Sequence, residues 1–161
     1  SNRFFCIDVR GNIMANHIRQ QIRERAGTVL TGLTTTGSNV FETRIYPLEN
    51  TNLPALVIYT KNETSEPIVI STNRLMSREL ELIVEVYVKQ TSNFDDQVDK
   101  ICKEVEVAIS ADTTLNGLAK DCFLQSTEIE YNTEGEQPLS YAVLTFLTNY
   151  YVQETAPDVA V

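Results

Sequence analysis

The chain has 161 residues, 42% of them hydrophobic and 22% charged, with a formal net charge of −9 at pH 7. That length suits one domain with a real core, and that apolar share excludes a disordered chain. So negative a balance argues against sequence-independent nucleic-acid binding, which needs Lys and Arg gathered on one face.

The first thirteen residues read as foreign to the domain. Ser1-Asn2 resembles the scar left by tag removal. Residues 3–13 carry neither helical nor strand period, and Arg10-Gly11, just ahead of Met14, can be encoded by a purine-rich ribosome-binding run. The expectation is a translated leader over 1–13 and a natural start at Met14. A first helix opens at Asn16 or Met14, with Ile18, Ile22, Ala26, Val29, Leu30 and Leu33 as its apolar stripe and Gly32 or Gly37 to end it. Residues 40–46 read as a strand and 47–54 as a loop fixed by its prolines. The apolar run 55–61 predicts a central strand, 62–67 a turn or exposed flap, and 68–72 a short local pairing.

Residues 78–88 carry the clearest signal. Leu80, Leu82, Val84, Val86 and Val88 alternate with Glu79, Glu81, Ile83, Glu85 and Tyr87, the period of a strand with one dry and one wetter face. Ser92 and Asn93 then offer caps for a helix over 93–111, where Phe94, Val98, Ile101, Cys102, Val105, Ala108 and Ile109 recur at helical spacing. Residues 113–119 predict a turn with Gly117 in a left-handed conformation, and 122–131 a strand. The Gly135–Pro138 stretch predicts a hairpin turn into 139–152, the last and longest strand, and 153–161 a flexible tail. The sum is an α+β domain over 14–152: an antiparallel-rich mixed sheet of four to six strands, with two main helices packed on one face.

Catalytic chemistry finds little footing. Cys6, Cys102 and Cys122 form an odd, widely spaced set without Cys-x-x-Cys, and His17 is the sole histidine, so zinc chemistry and a Ser–His or Cys–His nucleophile have no support. Asp95, Asp96 and Asp99 fall in the first turns of a helix, where the dipole favours carboxylates, and match no calcium loop. Glu79, Glu81, Glu85, Glu128 and Glu130 resemble the carboxylate pairs of glycosidases, but no tryptophan offers a sugar platform. No phosphate-binding glycine loop, nucleophile elbow or membrane-length apolar run occurs.

Three segments together resemble the tail terminator (minor tail protein U-like) family of long-tailed bacteriophages and prophages. The first is Arg44-Ile45-Tyr46-Pro47-Leu48 followed by 53–59, Leu-Pro-Ala-Leu-Val-Ile-Tyr. The second is 78–86, then Asp95-Asp96 and 101–106, Ile-Cys-Lys-Glu-Val-Glu. The third is 114–118, then Ser126-Thr127-Glu128, 134–138 and the strand at 142–146. The match covers about residues 14–152, and its specificity lies in order and spacing.

The resemblance implies a structural protein, not an enzyme and without a cofactor. Such a protein caps the growing tail tube as a ring, a hexamer, stops its polymerisation and offers the surface that joins tail to head. The implied partners are further copies of itself, the tail tube protein and a head-completion or connector protein, with DNA passing through unbound and no membrane. It is made in the host cytoplasm and resides in the virion at the head–tail interface. The alternatives are a head-closure or tail-completion connector, or a small binding module or enzyme of a mobile element. The family carries no catalytic motif over. From the chain itself, the long loop with Arg44, Tyr46, Leu48, Glu49 and Leu53 is the candidate subunit or tube interface, with the 62–67 flap beside it. The face with Glu79, Glu81, Glu85, Glu128 and Glu130 is the candidate acidic lumen, since a DNA conduit should be poor in basic groups.

Overall fold

The computed structural model describes residues 6–7, 13–43, 52–89, 93–132 and 139–161. The elements run β1 (Cys6–Ile7), β2 (Ile13–Met14), α1 (Ile18–Leu30), β3 (Val40–Phe41), β4 (Ala55–Pro67), β5 (Leu75–Lys89), α2 (Phe94–Ser110), β6 (Asp121–Asn132), β7 (Leu139–Gln153) and β8 (Ala156–Ala160). β1 and β2 pair only with each other. Among the described residues the main sheet has six strands, ordered β3-β4-β5-β7-β6, with β8 added on β7. Every pairing in it is antiparallel except β3 with β4. This is the expected α+β architecture, with both helices on one face.

The core follows from the period of β5. Leu80, Leu82, Val84, Val86 and Val88 are fully buried beneath Ile18, Ile22, Ala26 and Leu30 of α1 and Val98, Ile101, Val105 and Ile109 of α2. β7 supplies the same face with Ala142, Leu144, Phe146, Tyr150 and Val152. β5 and β7 pair without a break from Leu75 with Gln153 to Lys89 with Leu139, whereas β4 and β6 each carry one irregularity, at Thr60/Glu63 and Leu124/Ser126.

Several expectations are corrected. Helix α1 opens not at Asn16 or Met14 but after His17, whose Nδ1 accepts the Arg19 backbone N–H at 3.0 Å and so caps it. Within the helix, Gly27 is where the Glu42 side chain closes on it: a Cβ there would stand 1.9 Å from Glu42 Oε1. Residues 62–67 form no flap; they extend β4, paired with β5 through Pro67 and Met76. Residues 68–72 form no strand but the bend closing that hairpin. The 113–119 turn holds Leu115, Asn116 and Gly117 in succession at φ 47, 60 and 81°, and the strain at Leu115 is offset by complete burial of its side chain. Residues 153–161, expected as a tail, contain β8, which takes the edge of β7 that β5 leaves free. Of the leader over 1–13, residues 1–5 and 8–12 lie outside the described residues, as does the hairpin turn at 135–138.

Candidate functional site on the open sheet face

The face of the sheet opposite the helices is built by the other half of each alternating strand. The register sets it out in rows across β4, β5, β7 and β6. Ala55, Tyr87, Tyr141 and Glu130 form one row, and Val57, Glu85, Val143 and Glu128 the next. Then come Tyr59, Ile83, Thr145 and Ser126, with Glu81, Leu147 and Phe123 beyond them and Glu79, Asn149 and Asp121 last. All five candidate glutamates therefore share this face.

The glutamates share this face with tyrosines that bind two of them. Tyr59 and Tyr87 each donate their hydroxyl to Glu85, at 2.6 Å to Oε1 and Oε2 respectively. The Tyr87 and Tyr141 rings stack with centroids 5.6 Å apart, and the Tyr141 hydroxyl donates to Glu130. Asn62 donates to Glu81 Oε2 at 3.1 Å. The phenols answer to this setting. Burial, then the bond to Glu85 and its charge, pushes Tyr87 well above the ordinary phenol range; at Tyr141 the bond to Glu130 comes first. Both stay protonated donors, so Glu85 and Glu130 are held as acceptors.

The glutamates of β5 and β6 do not face one another across adjacent strands. β7 runs between them with Val143 separating Glu85 from Glu128. Two strand spacings are roughly 9.6 Å, about a Debye length at physiological salt, so the like-charge penalty of directly opposed carboxylates is largely avoided.

The candidate interface loop is only touched at its end. Arg44, Tyr46, Leu48 and Glu49 lie outside the described residues; Leu53 is partly buried just before β4.

One polar cluster escaped the sequence reading. At the end of the core where α1 begins, Glu63 turns to the helix side of β4 and accepts from Arg19 Nη1 at 2.8 Å, from the Tyr150 hydroxyl at 2.5 Å and from Arg78 Nη1 at 3.5 Å. His17 Nε2 stands 3.1 Å from Arg78 Nη1. No local pattern joins positions 17, 63, 78 and 150; the only available signal was a lone histidine beside a helix start. Arg78 with Glu63 ties α1 and the hairpin to the sheet, a structural role.

Cys102 and Cys122 are free and buried, with burial pushing Cys102 up to about 11 and Cys122 upward too, so both are inert thiols. Among the described residues no three His, Cys, Asp or Glu side chains converge as metal ligands, and no helix is long and apolar enough to cross a membrane.

A family model described as phage minor tail protein U matches residues 16–150, from just before the cap of α1 to Tyr150 in β7. No curated protein matches. Among solved structures, a chain from the virion of a native gene transfer agent particle is similar over 84% of this chain and 92% of that one, at 9% identity and a TM-score of 0.39. With the family model covering most of its length, the chain belongs to the phage minor tail protein U family and is a structural protein of the phage tail.

Proposed function

We propose that this tail protein is a terminator: a ring, six copies around, that caps the tail tube, stops its growth and offers the surface on which the head is joined. The observation that carries the reading is the gathering of Glu79, Glu81, Glu85, Glu128 and Glu130 on the sheet face that neither described helix covers. A ring through which DNA passes gains from a lining in which carboxylates outnumber Lys and Arg, because each phosphate neutralised adds affinity and slows passage; on this face the five glutamates stand against Lys89, which continues the alternation of Glu85 and Tyr87. Turned inward, that face gives each copy a share of a negative lumen, while the tyrosine bonds to Glu85 and Glu130 keep two of the carboxylates fixed in place. The segment with Arg44, Tyr46, Leu48, Glu49 and Leu53 meets the tube or a neighbouring copy, and the head-completion protein binds the opposite side.

The test changes only carboxylates that no tyrosine holds. Glu79→Lys, Glu81→Lys and Glu128→Lys together should leave folding intact and slow or block DNA ejection from assembled virions. Ejection at the normal rate would overturn the lumen assignment. Molar mass in solution, with electron microscopy of the protein mixed with tube protein, tests the ring: tubes that keep growing past it would overturn the terminator reading.

A further inference from the structure

The β4–β5 hairpin runs past the core and ends in an apolar tip. Ile68 and Val69 are each 48% exposed and Ile70 is fully exposed. Single exposed aliphatics are ordinary, but three in succession at the end of a projecting hairpin are not. Nor is the tip loose. The Ile68 N–H donates to the Leu75 carbonyl at 2.8 Å and Ser71 Oγ to the Asn73 carbonyl at 2.7 Å. The turn between β7 and β8 clamps its base: Arg74 pairs with Glu154 at 3.1 Å, and Thr155 Oγ1 donates to Asn73 Oδ1 at 3.0 Å. A tip held in one shape loses little entropy on docking.

An apolar groove of about 350 Å³ opens elsewhere, between the C-terminal half of α2 and the start of β6. Val107, Ile109, Phe123 and Phe146 line it, together with the acids Glu106 and Asp121. Val107 and Phe123, at 59% and 49% exposed, are as unsatisfied as the tip. The tip cannot reach its own groove. Phe123 lies in the row of Leu147 and Glu81, six residues of β5 short of Leu75, which is about 20 Å at ~3.3 Å per residue. The hairpin also leaves on the far side of β5 from β6.

We propose that Ile68, Val69 and Ile70 of one copy seat in the α2–β6 groove of the next, joining copies head to tail. Charge selects this pairing. Val107 stands beside Glu106, Phe123 near Asp121, Ile129 between Glu128 and Glu130, and Val159 beside Asp158, so an acid-bearing groove repels these apolar sites, while Val161 is exposed singly and not in a run of three. Residues 67–73, Pro-Ile-Val-Ile-Ser-Thr-Asn, carry no ionisable group and enter without repulsion. Tip and groove are unlike patches on one chain, and a contact of that kind propagates from copy to copy and closes into a ring when the rotation allows. The inference rests on the ring reading above and names its subunit contact.

Ile70→Glu and Val107→Glu, both at exposed positions, should keep the wild-type melting temperature. Each should weaken self-association at least tenfold in sedimentation of the full chain, alone and with tube protein. Ile70→Cys mixed with Val107→Cys should cross-link the two variants under mild oxidation, with no such link in either alone. Rings of wild-type mass formed by Ile70→Glu would overturn the contact while leaving the ring reading standing. A tip that cross-links to tube protein and not to a second copy would overturn it too. A wild-type chain that forms no ring even on tube ends would instead remove the ring reading itself.

Discussion

β5 and β7 build two faces from one alternating sequence, and the faces are stabilised in different ways. Toward the helices, Leu80, Leu82, Val84 and Val86 are sealed at 0% exposure, and burial of apolar area holds them. Away from the helices, Ile83 and Val57 are also nearly buried, yet they are screened by Tyr59, Tyr87 and the carboxylates that those phenols bind. Among the described residues no second layer of secondary structure lies on this face; a lattice of aromatic rings and bonded carboxylates can shelter the aliphatic positions and still present charge to solvent.

The sharpest way to break this contrast is Leu82→Ala. On the sealed face the lost packing and the remaining cavity should cost about 2–5 kcal/mol, read by chemical denaturation. An unchanged denaturation midpoint would mean that the two faces are assigned the wrong way round. A smaller effect is expected on the open face from Tyr59→Phe, which removes one of two hydroxyls bound to Glu85. It should cost about 0.5–1.5 kcal/mol, and adding Tyr87→Phe should be non-additive, because both bonds end on the same carboxylate. Strict additivity would show that the lattice is only a set of separate surface contacts.

The smallest effect is one of pH and concerns the sealed face at its polar end. Burial and then the Arg19 charge lower the pKa of His17 from 6.5; Arg78 adds to this, while Glu63 and Asp158 oppose it. The folded state thus takes up a proton less readily than the unfolded chain, so stability is present above 6.5 and falls as the pH drops below it. Protonation also removes the acceptor that caps α1 and sets a cation against Arg78. His17→Asn, which caps without titrating, should abolish this part of the acid slope; an identical slope in that variant would place the titration elsewhere.

What the sequence made legible was whatever local periodicity encodes. β5 and α2 each carry a clean apolar repeat and stand almost where residues 78–88 and 93–111 predict. The distal part of β4 was illegible because its hairpin leaves the core. Lys61-Asn62-Glu63-Thr64-Ser65-Glu66 has no dry face to alternate, and pairing to β5 alone makes it a strand. β8 was hidden for a related reason: Ala156-Pro157-Asp158-Val159-Ala160 has no period and is strand only because β7 lends it an edge. Parity puts Glu79, Glu81 and Glu85 on one side of β5 and Glu128 and Glu130 on one side of β6, but that the two sets share a face is fixed by their pairing through β7. The tyrosine bonds to Glu85 and the Glu63 cluster were not legible, because they join residues far apart in the chain.

The unbroken β5–β7 ladder also governs how the chain reaches its fold. Its rungs join Leu75 to Gln153 and Lys89 to Leu139, so no rung can form until the whole of α2 and β6 has been looped between them. Closing so long a loop is entropically unfavourable before any native contact offsets it, and non-local pairing of this kind sets folding on the order of milliseconds to seconds. Until β7 arrives, the central strand of the protein is an apolar edge open to other chains. The speed of α2 and of the β6–β7 hairpin decides how long that edge stays exposed.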